Sequence, residues 1–595
     1  MSLKIMTEPK TVFSEYKKGN EYKASIGEKG IFEQSKINER FYVGDQWYGA
    51  QCGNDKPLIR RNIIKRIGDY KLSSITAAPI AVNYRADGVP DNASMRESIE
   101  ATQKGFIGGQ DFKGETTDVE ITVVTKILSD YFGITAERVK FDFKKEQALR
   151  NAYISGTGIA YTYWDSTIKT GLYADEGKTT PIKGDIAFEV LDVENVCFGD
   201  PNCDDVQRQP FIIVSQRLDV GEVCREARRN RISAEDIEQI KPDGVDTYNA
   251  NAGTRGEQEL EDSKRVTVLT KFYKEWDKEG DTYKVMGVKV CEKAYVRKPW
   301  DTGLTLYPIA KMSWANRRSS IYGDTDITYQ IPNQIAINRA ESAGIWGLMK
   351  SGMPMTVVNG DTITGDITNN PGEVIKVYGT VEDVAGAVRH IQPPAFGSQY
   401  INMINDLANN TLSDNGANDA ALGDIRPDNA AAIIQSREAS LQPIQLLQNA
   451  FYSFIEDIAK IWADFWLHLY GDRKLRVEND EGMYYVPFHP SRYENLLLTV
   501  KIDVGSGPIW SLPSSIAILD SLFSAGIIDK VEYLENMPDG VIPNKTKLLE
   551  KARKQAAAMA MMPTLTDDMD GANPTPTGED LPIEMQGIPA EVIDV

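Results

Sequence analysis

DNAAAIIQSREASLQPIQLLQNAFYSFIEDIAKIWADFWLHLY, residues 428–470, is the longest periodic segment of the chain. Leu441, Ile444, Leu447, Phe451, Ile455, Ile458, Trp462, Phe465 and Leu469 advance by three and four residues, the spacing that lines up one face of an α-helix. At about 1.5 Å per residue such a helix runs roughly 60 Å. Pro443 lies inside it, lacks an N–H donor and crowds the carbonyl four residues back, which predicts a kink. A compact domain rarely needs a rod of this length, whereas a ring of subunits does. The cluster Trp462, Phe465 and Trp466 reads as helix packing in preference to a stacking platform.

Towards the N-terminus of that helix, 327–353 reads as a second long helix, with Pro332 tolerated near its first turn. Residues 355–367 carry Asn359-Gly360 between β-branched runs, the strongest short hairpin signal, and 372–379 reads as a strand. Residues 398–413 are helical, and DNGANDAALGDIRPD (414–428) is a polar loop of small residues. The first 325 residues mix both element types. Helices are expected within 31–47, 62–76 and 139–154, the last closed by Gly156 and Gly158. Strands are expected at 159–164, 188–201 and 210–218, with a hairpin from 266–276 to 282–290. Asp219 and Glu222 make a capping-box-like start for a helix over 220–229. Beyond 470, strands are expected around 484–504 and short helices near 514–525 and 529–537. The last 33 residues hold five prolines and eight acids without a basic residue, which predicts disorder or only local order.

At 595 residues the chain can build several cores, and 41% hydrophobic with 26% charged residues is ordinary for a soluble protein. No apolar run approaches the roughly 20 residues of a membrane span. MSLKIMTEPKTVFSEYKKGNEYK lacks an apolar core, so no secretory signal is expected there. Five cysteines (Cys52, Cys197, Cys203, Cys224 and Cys291) form no Cys-x-x-Cys pair, and His390, His468 and His489 lie far apart. A reducing compartment and no metal site are the expectation. The formal charge of −20 opposes a grip on nucleic acid, which requires net positive charge to displace counterions. It is compatible with a channel along which DNA slides.

Catalytic signatures are sparse, and neither an enzyme nor a cofactor is expected. Gly177-Lys178-Thr179 resembles the end of a phosphate-binding loop, but the required first glycine position holds Leu172, and Thr180-Pro181 favours extended chain where a helix should begin. There is no Gly-x-Ser-x-Gly elbow and no His-Glu-x-x-His. Arg225, Arg228, Arg229 and Arg231 read as a solvated face or inter-subunit ion pairs before a nucleic-acid contact.

Five stretches in succession resemble the portal proteins of tailed bacteriophages, particularly the podovirus-type head-to-tail connectors. RFYVGDQW (40–47) with RRNIIKRIGDYKLSSITAAPIAV (60–82) resembles the aromatic-Gly-x-Gln-Trp segment and Asn-led helix of the family. NAYISGTGIAYTYW (151–164) resembles its helix-Gly-strand step. LYPIAKMSWANRRSSIYGDTDITYQIPNQIAINRAES (306–342) resembles the Pro-containing strand, Tyr-Gly loop and helix with Gln and Asn facing its neighbours. The segment 429–462 resembles the long kinked helix, and IDVGSGPIWSLPSSIAILDSLFSAGII (502–528) closes the pattern.

The resemblance implies an α+β portal fold assembled as a closed ring, usually of twelve subunits. It implies a wing over 1–326, a stem helix at 327–353, a clip at 354–393 and a second stem helix at 394–413. A tunnel loop at 414–428, the long wing helix at 429–470, return strands at 471–512, a crown at 513–550 and a tail at 551–595 complete it. The tunnel-loop candidates are Asp414, Asn415, Asn418, Asp419, Asp424, Arg426 and Asp428; the clip-hairpin candidates are Asn359, Gly360 and Asp361. The implied partners are other copies of the chain, the terminase large subunit, a tail adaptor, and the major capsid and scaffold proteins. Double-stranded DNA would pass through without sequence-specific binding. The implied location is the portal vertex of the virion, after assembly in the host cytoplasm. The alternatives are another virion structural protein, such as a tail or adaptor component, or an acidic enzyme using Gly177-Lys178-Thr179. The long helix counts against the first, since a tail or adaptor component predicts a repeat or a β-rich chain.

Overall fold

The computed structural model describes residues 7–48, 57–78, 80–86, 118–173, 181–243, 264–277, 282–351, 398–417, 430–479, 482–490, 498–504 and 512–537, with short pieces at 355–358, 361, 378–380, 388–391, 493, 545, 548–549 and 551–552. Helices and strands are mixed along the chain, an α+β architecture, and the chain divides into two compact units, Met1–Pro508 and Ile509–Val595.

In the first unit, α1 (Pro9–Ser25), α2 (Gly30–Val43) and α3 (Ile63–Thr76) precede strand β1 (Ile80–Ala86). Helices α4 (Asp118–Val139) and α5 (Phe141–Ser155) lead into β2 (Thr157–Tyr173) and β3 (Pro181–Leu191). Then come β4 (Val196–Phe198), β5 (Phe211–Asp219), α6 (Val220–Arg229), α7 (Ala234–Glu238), β6 (Arg265–Asp277), β7 (Thr282–Val290), β8 (Tyr295–Leu304) and β9 (Ile309–Ser313). Helix α8 (Asp326–Ser351), β10 (Met355–Val358), β11 (Val388–Ile391), α9 (Ser398–Asp414) and α10 (Ala430–His468) follow, and β12 (Arg473–Asn479), β13 (Gly482–Phe488) and β14 (Leu498–Val504) complete the unit. The second unit contains α11 (Leu512–Ser524) and α12 (Lys530–Asn536).

The periodic face of α10 is the spine of the main core. Phe451, Ile455, Ile458, Trp462 and Phe465 are all buried in one cluster with residues of α4, α5, β2, β3 and β9. Pro443 lies within the helix, which continues on both sides of it. Helix α5 ends as its glycines require: Gly156 adopts φ +84 and donates its N–H to the Ala152 carbonyl at 2.9 Å. Two residues on, a Cβ at Gly158 would run into the Ala148 carbonyl, so β2 can start tight against α5 only with glycine there.

Strands β4 to β8 form an antiparallel meander. The expected hairpin holds, with Leu269 opposite Val290 and Asp277 opposite Thr282. Strand β6 is buried along most of its length because both faces of this sheet are covered. Val266 and Val268 pack with Val223 and Ala227 of α6, while Leu269 and Tyr273 pack with Val12 of α1. Asp219 caps α6 through hydrogen bonds from the Gly221 and Glu222 amides, and a reciprocal capping box forms further on, between Asp529 and Glu532.

Several elements differ from expectation. Helices α1 and α4 were not predicted from the sequence. The strands expected around 484–504 begin earlier, at Arg473, where β12 and β13 pair from Arg473↔Phe488 to Asn479↔Gly482. Strand β14 pairs with β1, Ile80 opposite Val504, which ties the last strand of the unit to its first.

Candidate functional site

Helices α8 and α9 flank the excursion that contains β10 and β11. Ile63 and Ile67 of α3 pack with Ile337 of α8 and with Ala408 and Leu412 of α9, so the two helices share one anchorage. Strand β10 takes β11 as its antiparallel partner, Met355 opposite Ile391 and Val358 opposite Val388. A pairing across that distance was not legible from the local Asn359-Gly360 signal. Asn359, Gly360 and the strand expected over 372–379 lie outside the described residues, apart from 378–380; Asp361 is exposed.

The anchorage is polar at its centre. Gln330, Gln334, Asn338 and Ser342 recur every fourth residue along one face of α8, and the first three are 3%, 1% and 2% exposed. Gln334 accepts hydrogen bonds from the Ile63 and Ile64 amides at 2.9 and 3.3 Å and donates to the Arg61 carbonyl at 2.6 Å. It thereby satisfies amides at the start of α3 that have no partner within the helix. Asn338 accepts from the Arg61 amide and donates to Gln46 Oε1 at 2.6 Å, and the Ser342 hydroxyl accepts from the Ile59 amide. Trp47 donates from its indole to the Ile59 carbonyl at 2.9 Å, and Asn62 caps α3 while bonding the Tyr42 carbonyl.

Residues from four of the five stretches that carry the sequence resemblance are therefore neighbours in space. Gln46, Gln334 and Asn338 form one hydrogen-bonded knot, with Trp47 and Asn62 bonded to the backbone beside it. The Asn38 amide bonds the Ile154 carbonyl, the Thr325 hydroxyl bonds the Tyr153 carbonyl, and Trp462 donates to Thr162 at 3.2 Å. A Gln334→Leu variant leaves two backbone amides and a carbonyl without this partner. At about 1–3 kcal/mol for a buried unsatisfied group, with partial recovery by water, we expect a loss of about 2 kcal/mol in urea unfolding. A loss below a few tenths would show the knot to be solvated.

Of the tunnel-loop candidates, Asp414 and Asn415 belong to the end of α9, not to a free loop. Asp414 is exposed and is the helix's last residue. Asn415 Oδ1 accepts from Gln330 at 2.7 Å and its amide bonds the Thr411 carbonyl at 2.8 Å. Gly416 follows with φ +77, and Ala417 donates to the Leu412 carbonyl at 3.0 Å, a Schellman-type stop. A loop proper can therefore begin only after Ala417, which is fully buried. Asn418, Asp419, Asp424, Arg426 and Asp428 lie outside the described residues.

The remaining candidates carry little chemistry. Gly177-Lys178-Thr179 lies outside the described residues, but its flanks are the antiparallel strands β2 and β3. The element that follows is thus a strand, where a phosphate loop needs a helix N-terminus. Arg225, Arg228, Arg229 and Arg231 are exposed along and just beyond α6. His468 pairs with Asp464 at 3.0 Å and His489 with Asp472 at 3.1 Å. Cys197, Cys203, Cys224 and Cys291 are free thiols, and burial pushes Cys291 up to about 12, which disfavours its reactive thiolate. Trp462, Phe465 and Trp466 are buried. Among the described residues no His, Cys, Asp and Glu cluster could hold a metal ion, and no helix is long and apolar enough to cross a membrane.

One feature was missed from sequence. Ile345, Leu348 and Met349 near the end of α8 and Ile401 and Met403 near the start of α9 are exposed, between 39% and 55%. The periodicity of these helices marks their packed faces and does not separate a solvent face from one that another chain covers. No protein-family model matches the chain, and no curated protein matches it at a significant level.

Proposed function

We propose that this chain is a portal subunit. In this reading, copies of it form a closed ring at one capsid vertex, which conducts double-stranded DNA during packaging and ejection. The observation that carries the reading is the convergence just described: four of the five stretches that resemble the portal pattern in sequence order also pack together. The excursion 354–393 between α8 and α9 is the docking surface for the terminase large subunit and later the tail adaptor. Major capsid and scaffold proteins are the other partners, in a virion assembled in the host cytoplasm. The exposed apolar residues of α8 and α9 suit cover by a neighbouring copy. A ring of twelve would carry roughly −240 formal charges, and this field keeps DNA from adhering to the channel wall. No catalysis and no cofactor belong to this role.

Two measurements test it. Light scattering and negative-stain imaging of the purified protein should give a ring near twelve times 66.2 kDa with a central hole. A compact dimer or tetramer without a hole would overturn the proposal. Deleting residues 418–428, which spares the α9 cap, should leave ring assembly intact and impair DNA packaging or retention. Unimpaired packaging in that variant would remove the tunnel-loop role.

A further inference from the structure

Among its described residues the second unit exposes large apolar side chains. Among its residues with described side chains, Met537 alone is buried. Phe523 is 38% exposed, Leu548 42% and Ile527 68%. Between α11, α12 and the residues around 548–552 runs a groove of about 380 Å³, floored by Phe523, Tyr533, Leu534 and Leu548. The Phe523 and Tyr533 rings lie 4.9 Å apart, and the Tyr533 hydroxyl is held by Asp520 at 2.6 Å, so the floor is pre-formed. Lys530 and Lys551 line its rim. Neither has an ion-pair partner among the described residues.

The same chain contains a segment of complementary chemistry. EDLPIEMQGIPAEVIDV (579–595) interleaves five acids with Leu581, Ile583, Met585, Ile588, Val592 and Ile593, and it has no basic residue. A purely solvating acidic stretch would not need that aliphatic content. Residues 553–578 separate it from the groove wall, and 26 linker residues span roughly 30 Å as a flexible coil. The tether sets an effective concentration on the order of millimolar, so even a weak intrinsic affinity keeps such a segment bound.

We propose that residues 579–595 dock in cis on the α11–α12 groove, aliphatic side chains on its floor and carboxylates against Lys530 and Lys551. Docking covers apolar surface that this small unit cannot bury by itself, and it keeps a strongly acidic segment folded back on its own subunit. The inference does not depend on the ring reading.

Hydrogen–deuterium exchange on three full-length or near full-length proteins tests it: the intact chain, a chain ending at Gly578, and the variant E579Q/D580N/E584Q/E591Q/D594N. Peptides spanning 519–537 should exchange about fivefold to tenfold faster in the chain ending at Gly578. The five-amide variant should lie between the two at low salt, since it removes the ion pairs and keeps the aliphatic contacts. Its substitutions are confined to the docking segment and leave α11 and α12 untouched. Identical exchange in all three overturns the proposal. Carbodiimide cross-linking of a mixture of isotope-labelled and unlabelled intact chain provides the second readout. Links from Glu591 or Asp594 to Lys530 or Lys551 within one chain support it. Links found only between chains, or groove protection that arises only on adding another protein, overturn the cis assignment.

Discussion

A Trp462→Ala variant is expected to lose about 3–5 kcal/mol of unfolding free energy, the range for removing a large buried aromatic side chain. The indole is fully buried, with ring centroids of Phe132, Phe141 and Phe188 at 4.8, 5.3 and 5.8 Å. These three rings come from α4, α5 and β3, and none can follow the retreating side chain without leaving its own element. The cavity therefore stays largely open, and the loss contains both the transfer cost and the cavity cost. The indole N–H also bonds Thr162, a buried hydroxyl that is left without this partner. Trp462→Phe should cost distinctly less, because a ring still fills most of the site. Urea unfolding followed by circular dichroism measures both. A Trp462→Ala midpoint close to the wild type would mean that the helix buries a different face.

That prediction rests on the part of the structure most legible in sequence. Steps of three and four residues over 444–465 identify the buried face of α10 because a long amphipathic helix repeats its signal many times. Helix α4 has the helical spacing too, since Val123, Val124, Ile127, Leu128, Tyr131 and Phe132 are buried while Lys126, Asp130 and Glu137 lie on its other side. Its β-branched residues suit a strand equally well and mask that signal. Helix α1 has the converse problem, since its fully buried positions are Val12 and Lys23. Lys23 donates to the Val193, Glu194 and Val196 carbonyls at 3.3, 2.6 and 3.1 Å, a mode of anchoring that apolar periodicity cannot reveal. Pairings such as β1 with β14 depend on the whole chain and leave no local trace. The polar knot was half legible: Gln330, Gln334, Asn338 and Ser342 recur at helical spacing, and four polar residues in one row are a signal for a buried polar face. The sequence alone does not say which backbone amides they serve.

The anchoring of α1 gives the other large expected effect. Lys271 on β6 has a fully buried side chain, its Nζ 2.6 Å from Glu15 Oε2 of α1 and 4.4 Å from the centre of the Phe211 ring. Burial lowers the Lys271 pKa, and the Glu15 carboxylate opposes that shift. Glu15→Gln removes the opposing charge and leaves a buried ammonium in contact with a neutral amide, a type of change that typically costs about 3–5 kcal/mol. The pH dependence separates this cause from lost packing. With the folded pKa below the unfolded value of about 10.4, the unfolded chain binds more protons in the interval between them, so stability rises with pH there. The variant lowers the folded pKa further and widens the interval downward. Its deficit relative to wild type should therefore be full near pH 7 and shrink as pH rises towards 10, as Lys271 becomes neutral in both folded proteins. Lys271→Met in the Glu15→Gln background should recover most of the loss at pH 7, since an apolar side chain of similar length suits a fully buried site against the Phe211 ring better than a cation that has lost its carboxylate. A deficit that is constant between pH 7 and 9.5 and unchanged by Lys271→Met would mean that Glu15 holds α1 by its hydrogen bond alone.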